Sequence, residues 1–192
     1  MPKNNGSDRT RTKLRKLLKG FRVAMLTTVA PGGSLRSRPM VTARAQDDSE
    51  VWFLTKAADP KVGEVQENQQ VSVGYVSPKD GRYVALSGTA TVVKDPQRVM
   101  ELWRKRHRRW FPAGKQDPEL AALRVRIDRA EYWDEPTGQM VVHEPAGSAR
   151  GADAANADPG GAARIADAMK ALVTGTEDHG EEKPPTPGGA QG

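Results

Sequence analysis

The sequence predicts a mainly β protein with short α-helices, arranged as a six-stranded antiparallel barrel. Six short stretches rich in β-branched and aromatic residues fit within about 125 residues, and all ten aromatics lie between Phe21 and Trp133. Turn signals built on Pro and Gly separate these stretches closely enough for a meander, and the segments with helical spacing are few and short. Closing such a set of strands removes exposed sheet edges, which favours a small barrel, with a sandwich as the alternative.

Taken in order, Arg11 to Gly20 reads as a basic helix with Leu14, Leu17 and Leu18 on one face and Gly20 at its end. The first strand runs from Arg22 to Ala30, stops at Pro31-Gly32-Gly33, and returns as a second strand from Leu35 to Ala45. Val51 to Thr55 is the third. Asp59-Pro60 opens a short helix, since Asp favours the capping position and Pro the first helical one, and Val62 and Val65 give it an apolar side before Asn68. Val71 to Val76 is the fourth strand, Pro78-Lys79-Asp80-Gly81 a turn, and Tyr83 to Val93 the fifth, with Gly88 marking a bulge or a close backbone approach. A helix follows from Asp95-Pro96, with Val99, Leu102 and Trp103 inward and Arg104, Lys105 and Arg106 outward. Trp110-Phe111-Pro112 makes an aromatic corner, Asp117-Pro118 to Ala122 a further short helix, and Leu123 to Asp134 the sixth strand.

Composition divides the chain. Residues from Pro145 on hold nine Gly, five Pro, twelve Ala and no aromatic, which is too little apolar surface to offset ordering entropy. The expected organisation is a disordered basic N-terminus over 1–10, a barrel domain over 11–143, a linker over 144–161, a helix over 162–175 and a disordered tail over 176–192. The C-terminal helix is suggested by Ile165, Met169 and Leu172, which form one stripe ahead of Gly175. Residues 1–144 carry 26 Lys and Arg against 17 Asp and Glu, while the remainder carry 4 against 7, so the folded part is the more basic.

Zero cysteines exclude a disulfide framework, Cys-ligated zinc and thiol catalysis. His107, His143 and His179 are scattered, with no nucleophile elbow and no H-E-x-x-H, so each is read as a surface residue and no metal site is expected. No G-x-G-x-x-G or Walker loop follows a strand. The first 25 residues have no signal-like apolar run and no later stretch approaches the ~20 apolar residues of a membrane span, so a soluble cytoplasmic protein without membrane partners is expected. The chemistry that remains is an anion site: Ser37-Arg38-Pro39-Met40, Phe53-Leu54-Thr55 and Asp59-Pro60-Lys61 offer a guanidinium, a hydroxyl and an ammonium near a helix N-terminus.

From Lys16 to Asp134, and more loosely on to about Glu182, the chain resembles the pyridoxamine 5′-phosphate oxidase-like FMN-binding split-barrel proteins, most closely the general stress protein 26 family. The resemblance rests on ordered short runs: Ala24-Met25-Leu26-Thr27-Thr28, Ser37-Arg38-Pro39-Met40, Trp52-Phe53-Leu54-Thr55, Lys61-Val62, Arg82 through Ala90, Trp110-Phe111-Pro112 with Gly114-Lys115, and Ala130 through Asp134. It implies a homodimeric split barrel with two flavins at the dimer interface. Arg38, Pro39, Met40 and Val41 would line the flavin, with Arg38 meeting the phosphate. Leu54 and Thr55 would approach the ring edge, Lys61 would bind the phosphate, and Tyr83 would make a polar ring contact. Trp133, and with it Trp110, would come from the partner chain.

The departures bear on the reaction. Where true pyridoxamine phosphate oxidases carry a Lys and an Arg-x-His, this chain has Ala43 and Glu135-Pro136-Thr137-Gly138, which argues against the vitamin substrate. Asp59 stands where the family often has Ser, so it either repels the phosphate or caps the helix and faces away. The resemblance implies FMN, with FAD or a deazaflavin as alternatives, and an oxidoreductase acting on a small molecule; no catalytic residue is singled out. One competing reading is a deazaflavin-dependent reductase that uses the Arg104 to Arg109 run. The other is a nucleic-acid-binding module, which is disfavoured because aromatics other than Trp110 do not interleave with the basic clusters.

Overall fold

Pro31, Gly32 and Gly33 reverse the chain between the first two strands, because both glycines adopt positive φ, 82° and 85°, which side chains with a Cβ resist. The hairpin joins β1 (Val23–Val29) to β2 (Leu35–Arg44) in register from Val23 opposite Val41 to Val29 opposite Leu35. The computed structural model describes residues 5–44, 49–134 and 137–145. The helix expected over 162–175, the tail after it and the linker beyond 145 lie outside the described residues.

The other elements are α1 (Asn5–Leu18), β3 (Glu50–Lys56), α2 (Pro60–Glu67), β4 (Gln70–Ser77), β5 (Arg82–Val93), α3 (Pro96–Leu102), β6 (Leu120–Asp134) and β7 (Gln139–His143). All strand pairs are antiparallel, in the order β3-β2-β1-β4-β5-β6-β7, and β3 also pairs β6, from Glu50 opposite Arg126 to Lys56 opposite Leu120. That contact closes six strands into a barrel. Gly88 sits at a bulge between β5 and β6, where an added Cβ would lie 1.9 Å from the Arg126 carbonyl oxygen, so the close approach expected from the sequence is real.

Two apolar clusters share the barrel wall. Inside are Leu26, Phe53, Val73, Leu86, Val125 and their neighbours, with Leu14 and Leu18 of α1 closing one end; burying each leucine stabilises the fold by about 1.5–3 kcal/mol. Arg82 fixes that end by donating to the Leu17 and Lys19 carbonyls just where α1 stops, while its guanidinium lies 4.6 Å from the Phe21 ring centroid. Outside the wall, α3 packs Val99 and Leu102 onto Trp52, Leu54, Leu120 and Ala122. β3 is therefore covered on both faces, with Val51 and Phe53 inward and Trp52 and Leu54 under α3.

Several expectations are corrected. α1 begins at Asn5, within the stretch read as a disordered N-terminus. No helix spans 117–122: a turn at Asp117–Leu120 leads directly into β6, and Ala121 and Ala122 are fully buried opposite Thr55 and Leu54. Closure of the barrel overrides the helical preference of alanine there. α3 stops at Leu102, with Trp103 extended, so Arg104, Lys105 and Arg106 are not on it; Lys105–Arg109 form a separate 3-10 turn. A seventh strand, β7, follows Gly138, which takes a φ of 61°, and pairs with the end of β6. His107 and His143 are buried rather than at the surface. Among the described residues, no helix is long and apolar enough to cross a membrane.

Candidate functional site

β2 pairs with β1 from Leu35 to Val41 but meets β3 only at Thr42 opposite Phe53 and Arg44 opposite Trp52, with a shift of register between them. Ahead of that shift the two strands diverge. The side of β2 holding Pro39, Met40 and Val41 has no strand partner there, which is where a residue lacking an N–H is tolerated. A cleft of about 260 Å3 opens at the divergence. Its first wall is Pro39, Met40 and Val41, its second is Leu54, Thr55 and Lys56 at the end of β3, and Trp110 and Phe111 also line it. Asp59 and Lys61, where α2 begins, complete it.

At the polar end, Lys61 Nζ lies 2.5 Å from Asp59 Oδ2 and 3.2 Å from Thr55 Oγ1, and Thr55 donates to the same carboxylate at 2.7 Å. The Lys56 backbone N–H also points at that oxygen, 3.4 Å away. Asp59 occupies the N-cap position of α2, yet its side chain makes no capping hydrogen bond; it turns to Lys61 and Thr55 instead. Partial burial pushes its pKa up, but the donated hydrogen bonds of Lys61 and Thr55 outweigh this and hold it below the ordinary carboxylate value. Lys56 reaches outward to Glu119 at 2.9 Å.

A second polar cluster lies behind the cleft wall. Glu64, on the inner side of α2, has a side chain only 3% exposed, and Arg38 and Arg36 donate to it at 2.8 and 3.0 Å. Thr28 donates to it at 2.5 Å while accepting from Arg38. Burial raises the Glu64 pKa, and the three donors, led by Thr28 and Arg38, outweigh burial so that the net shift is downward. The guanidinium of Arg38 is thus engaged with α2 and is not among the groups lining the cleft.

Seven of the ten residues singled out from the sequence converge on the cleft: Pro39, Met40, Val41, Leu54, Thr55, Lys61 and Trp110. Arg38 and Tyr83 do not: Arg38 is held by Glu64, and Tyr83 is half-buried on β5 opposite Val76. Trp133, expected to serve a partner chain's site, lies on β6 opposite Met140 and is 8% exposed. Trp110 lies at the cleft of its own chain, 49% exposed, with the Arg109 guanidinium 5.9 Å from its ring. Lys56 and Phe111 were not anticipated as site residues, although Phe111 belongs to the aromatic corner visible in the sequence. Beside them, His107 is sealed, its Nδ1 accepting from the Arg104 N–H at 2.9 Å and its Nε2 buried without a partner. Burial first, then the charges of Arg106 and Arg104, lower its pKa to about 4, so it is neutral near physiological pH.

The family model described as pyridoxamine 5′-phosphate oxidase like matches residues 9–147. Among solved structures, a general stress FMN/FAD binding protein from Xanthomonas citri is 27% identical with a TM-score of 0.56, over 66% of this chain and 89% of that one. A Clostridium acetobutylicum protein related to general stress protein 26 of Bacillus subtilis shares 17% identity with a TM-score of 0.61, over 69% and 92%, a likeness of fold. Protein bli-3 of Neurospora crassa is 24% identical over 117 residues, and the chain spans about half the length of that relative, 56%.

Proposed function

The chain belongs to the pyridoxamine 5′-phosphate oxidase-like family, and on that premise we propose that its cleft binds a flavin, FMN in the first instance, for electron transfer with a small molecule in the cytoplasm. The observation that carries this reading is the pairing of opposite chemistries across the gap between β2 and β3. Lys61 and Thr55 at one end suit a phosphate, and the free edge of Pro39 to Val41 with Leu54 and Trp110 suits a flat, hydrogen-bonding ring. The residues fit the cofactor in kind: a cation, a hydroxyl, an unpaired stretch of backbone and an indole. When bound, the flavin supplies the redox chemistry, so the chain's task is to bind it, orient it and shield it from water. A vitamin-phosphate substrate is disfavoured, because Ala43 is buried among Trp52 and Leu54 and offers no cation.

We further propose that two copies assemble with the clefts at their interface. The outer face of β1, β2 and β4 exposes Val23, Met25 and Val76, and the ladder sets Val23 beside Val41 and Met25 beside Pro39. This apolar face is continuous with one wall of the cleft, so a second copy seated on it would close the site. A deazaflavin is the second reading, favoured by the exposed Arg104, Lys105, Arg108 and Arg109 that precede Trp110 in the cleft lining and could meet a longer acidic tail.

The test is the visible absorbance spectrum of freshly purified protein together with the mass of any released cofactor, followed by titration with FMN, FAD and a deazaflavin. Flavin absorbance, or saturable quenching of added FMN, is the expected result. No absorbance and no binding of any of the three would overturn the proposal.

A further inference from the structure

Among the described residues, Lys61 is the cation lining the cleft whose ammonium faces the hydroxyl of Thr55, and it is not free: its side chain, 15% exposed, is held at 2.5 Å by Asp59. Thr55, the hydroxyl available at this end, also gives its proton to Asp59. Both groups suited to a ligand's anion are thus engaged by one carboxylate of the chain itself. That carboxylate is 36% exposed and faces a single ammonium, whereas Glu64 is sealed against two guanidiniums and a hydroxyl and has no open side toward the cleft.

We propose that Asp59 is a specificity-determining residue, a tethered counter-anion that sets how much negative charge the polar end of the cleft accepts. A ligand anion that takes the Thr55 proton must displace Asp59 from it, and one that binds Lys61 shares that ammonium with Asp59, so in either case it sits beside a carboxylate that the first turn of α2 keeps close. The repulsion scales with the ligand's charge. A phosphomonoester, with two charges on one phosphorus, is penalised most, and a pyrophosphate diester, with one charge on each phosphorus, is penalised less. A flavin with no phosphate does not meet the carboxylate at all. Compared with a neutral residue at this position, the carboxylate therefore costs FMN more affinity than FAD, whose pyrophosphate places one charge on each of two phosphorus atoms; this deepens the flavin-binding reading above and rests on it.

The experiment titrates the full-length protein and its Asp59→Asn variant with FMN, FAD, riboflavin and inorganic pyrophosphate, following flavin quenching and Trp fluorescence. Asn keeps the size and the acceptor for Thr55 while removing the charge; Asp59→Ser is the second variant should Asn perturb folding, and thermal melts establish that each is folded. The expected result is FMN affinity at least about 10-fold tighter in Asp59→Asn, FAD about 3-fold tighter and riboflavin within about 2-fold of the parent. Unchanged or weaker FMN binding in both folded variants overturns the inference, since Asp59 would then be inert or a support for Lys61, and it leaves the flavin reading standing. If neither FMN nor riboflavin binds any of the proteins, the flavin reading falls and the pyrophosphate arm decides the role of Asp59. Tightening on removal of the charge sustains that role; no change ends it.

Discussion

Asp59 and Glu64 stand five residues apart, one before α2 and one within it, and both carboxylates grip a cation and a threonine. Their surroundings make them different objects. Glu64 is sealed, accepts from Thr28, Arg36 and Arg38, and ties α2 to β1 and β2. Asp59 lies at the lip of the cleft, accepts from Thr55 and Lys61, and leaves those partners within reach of a ligand. The same chemistry ties elements together when buried and fully donated to, and leaves its partners beside an open cleft when it is not. Arg38, the cation expected from the sequence to meet a phosphate, is the one paired with the sealed carboxylate.

The sharpest way to break the comparison is Glu64→Ala. Removing the buried acceptor of Thr28, half-buried Arg38 and exposed Arg36 is expected to lower stability by about 3 kcal/mol in urea denaturation, and a loss similar to that of Asp59→Asn would show that the two carboxylates are equivalent. Acid titration adds a signature. The native pKa of Glu64 is lowered, so its contribution is complete above the ordinary value of 4.5 and disappears as pH falls through the lowered one. His107 acts earlier on the same scale. Its native pKa, about 4, lies below the ordinary 6.5, so the unfolded chain takes up the proton first and native stability falls as pH drops between these values. The expected loss from about pH 7 to about pH 5 is on the order of 2 kcal/mol and should vanish in His107→Gln, measured by denaturation at both pH values.

On the open side, Lys61→Ala should weaken FMN binding by about 1.5 kcal/mol, the scale of one charge-assisted hydrogen bond, while shifting the melting temperature little. A large fall in stability with unchanged affinity would move Lys61 into the structural class. The smallest effect belongs to Arg36, whose side chain is 58% exposed although it touches Glu64; Arg36→Ala should cost about 0.5 kcal/mol or less by thermal melt. A loss several times larger would mean that exposure is a poor guide to which member of the sealed cluster matters.

Much of the barrel was legible because its signals are local. Pro31-Gly32-Gly33, Pro78 to Gly81 and Gly88 announce two turns and a bulge, and alternation locates the strands to within a few residues. What was misread depends on distant partners. Ala121 and Ala122 are strand residues because β3, some 65 residues earlier, and β5 enclose them. The basic run after Leu102 leaves its helix because His107 is drawn inward and caps the Arg104 N–H. The site divides in the same way. The ends of β2 and β3 and the start of α2 were recognisable as anion-suited pieces, and the resemblance ordered them. That Arg38 would answer to Glu64 and Lys61 to Asp59 is a matter of side-chain geometry across the gap, which no spacing rule encodes.

β3, covered on both faces, also shapes how the chain reaches its native state. Its second ladder is with β6, so residues 50–56 wait for residues 120–126, and α3 can bury Trp52 and Leu54 only as that ladder forms. Closing so long a loop is entropically costly and late. On a ribosome, a nascent chain that has not yet released Leu120 holds β3 and β5 with open edges, the state most exposed to wrong pairing with another chain.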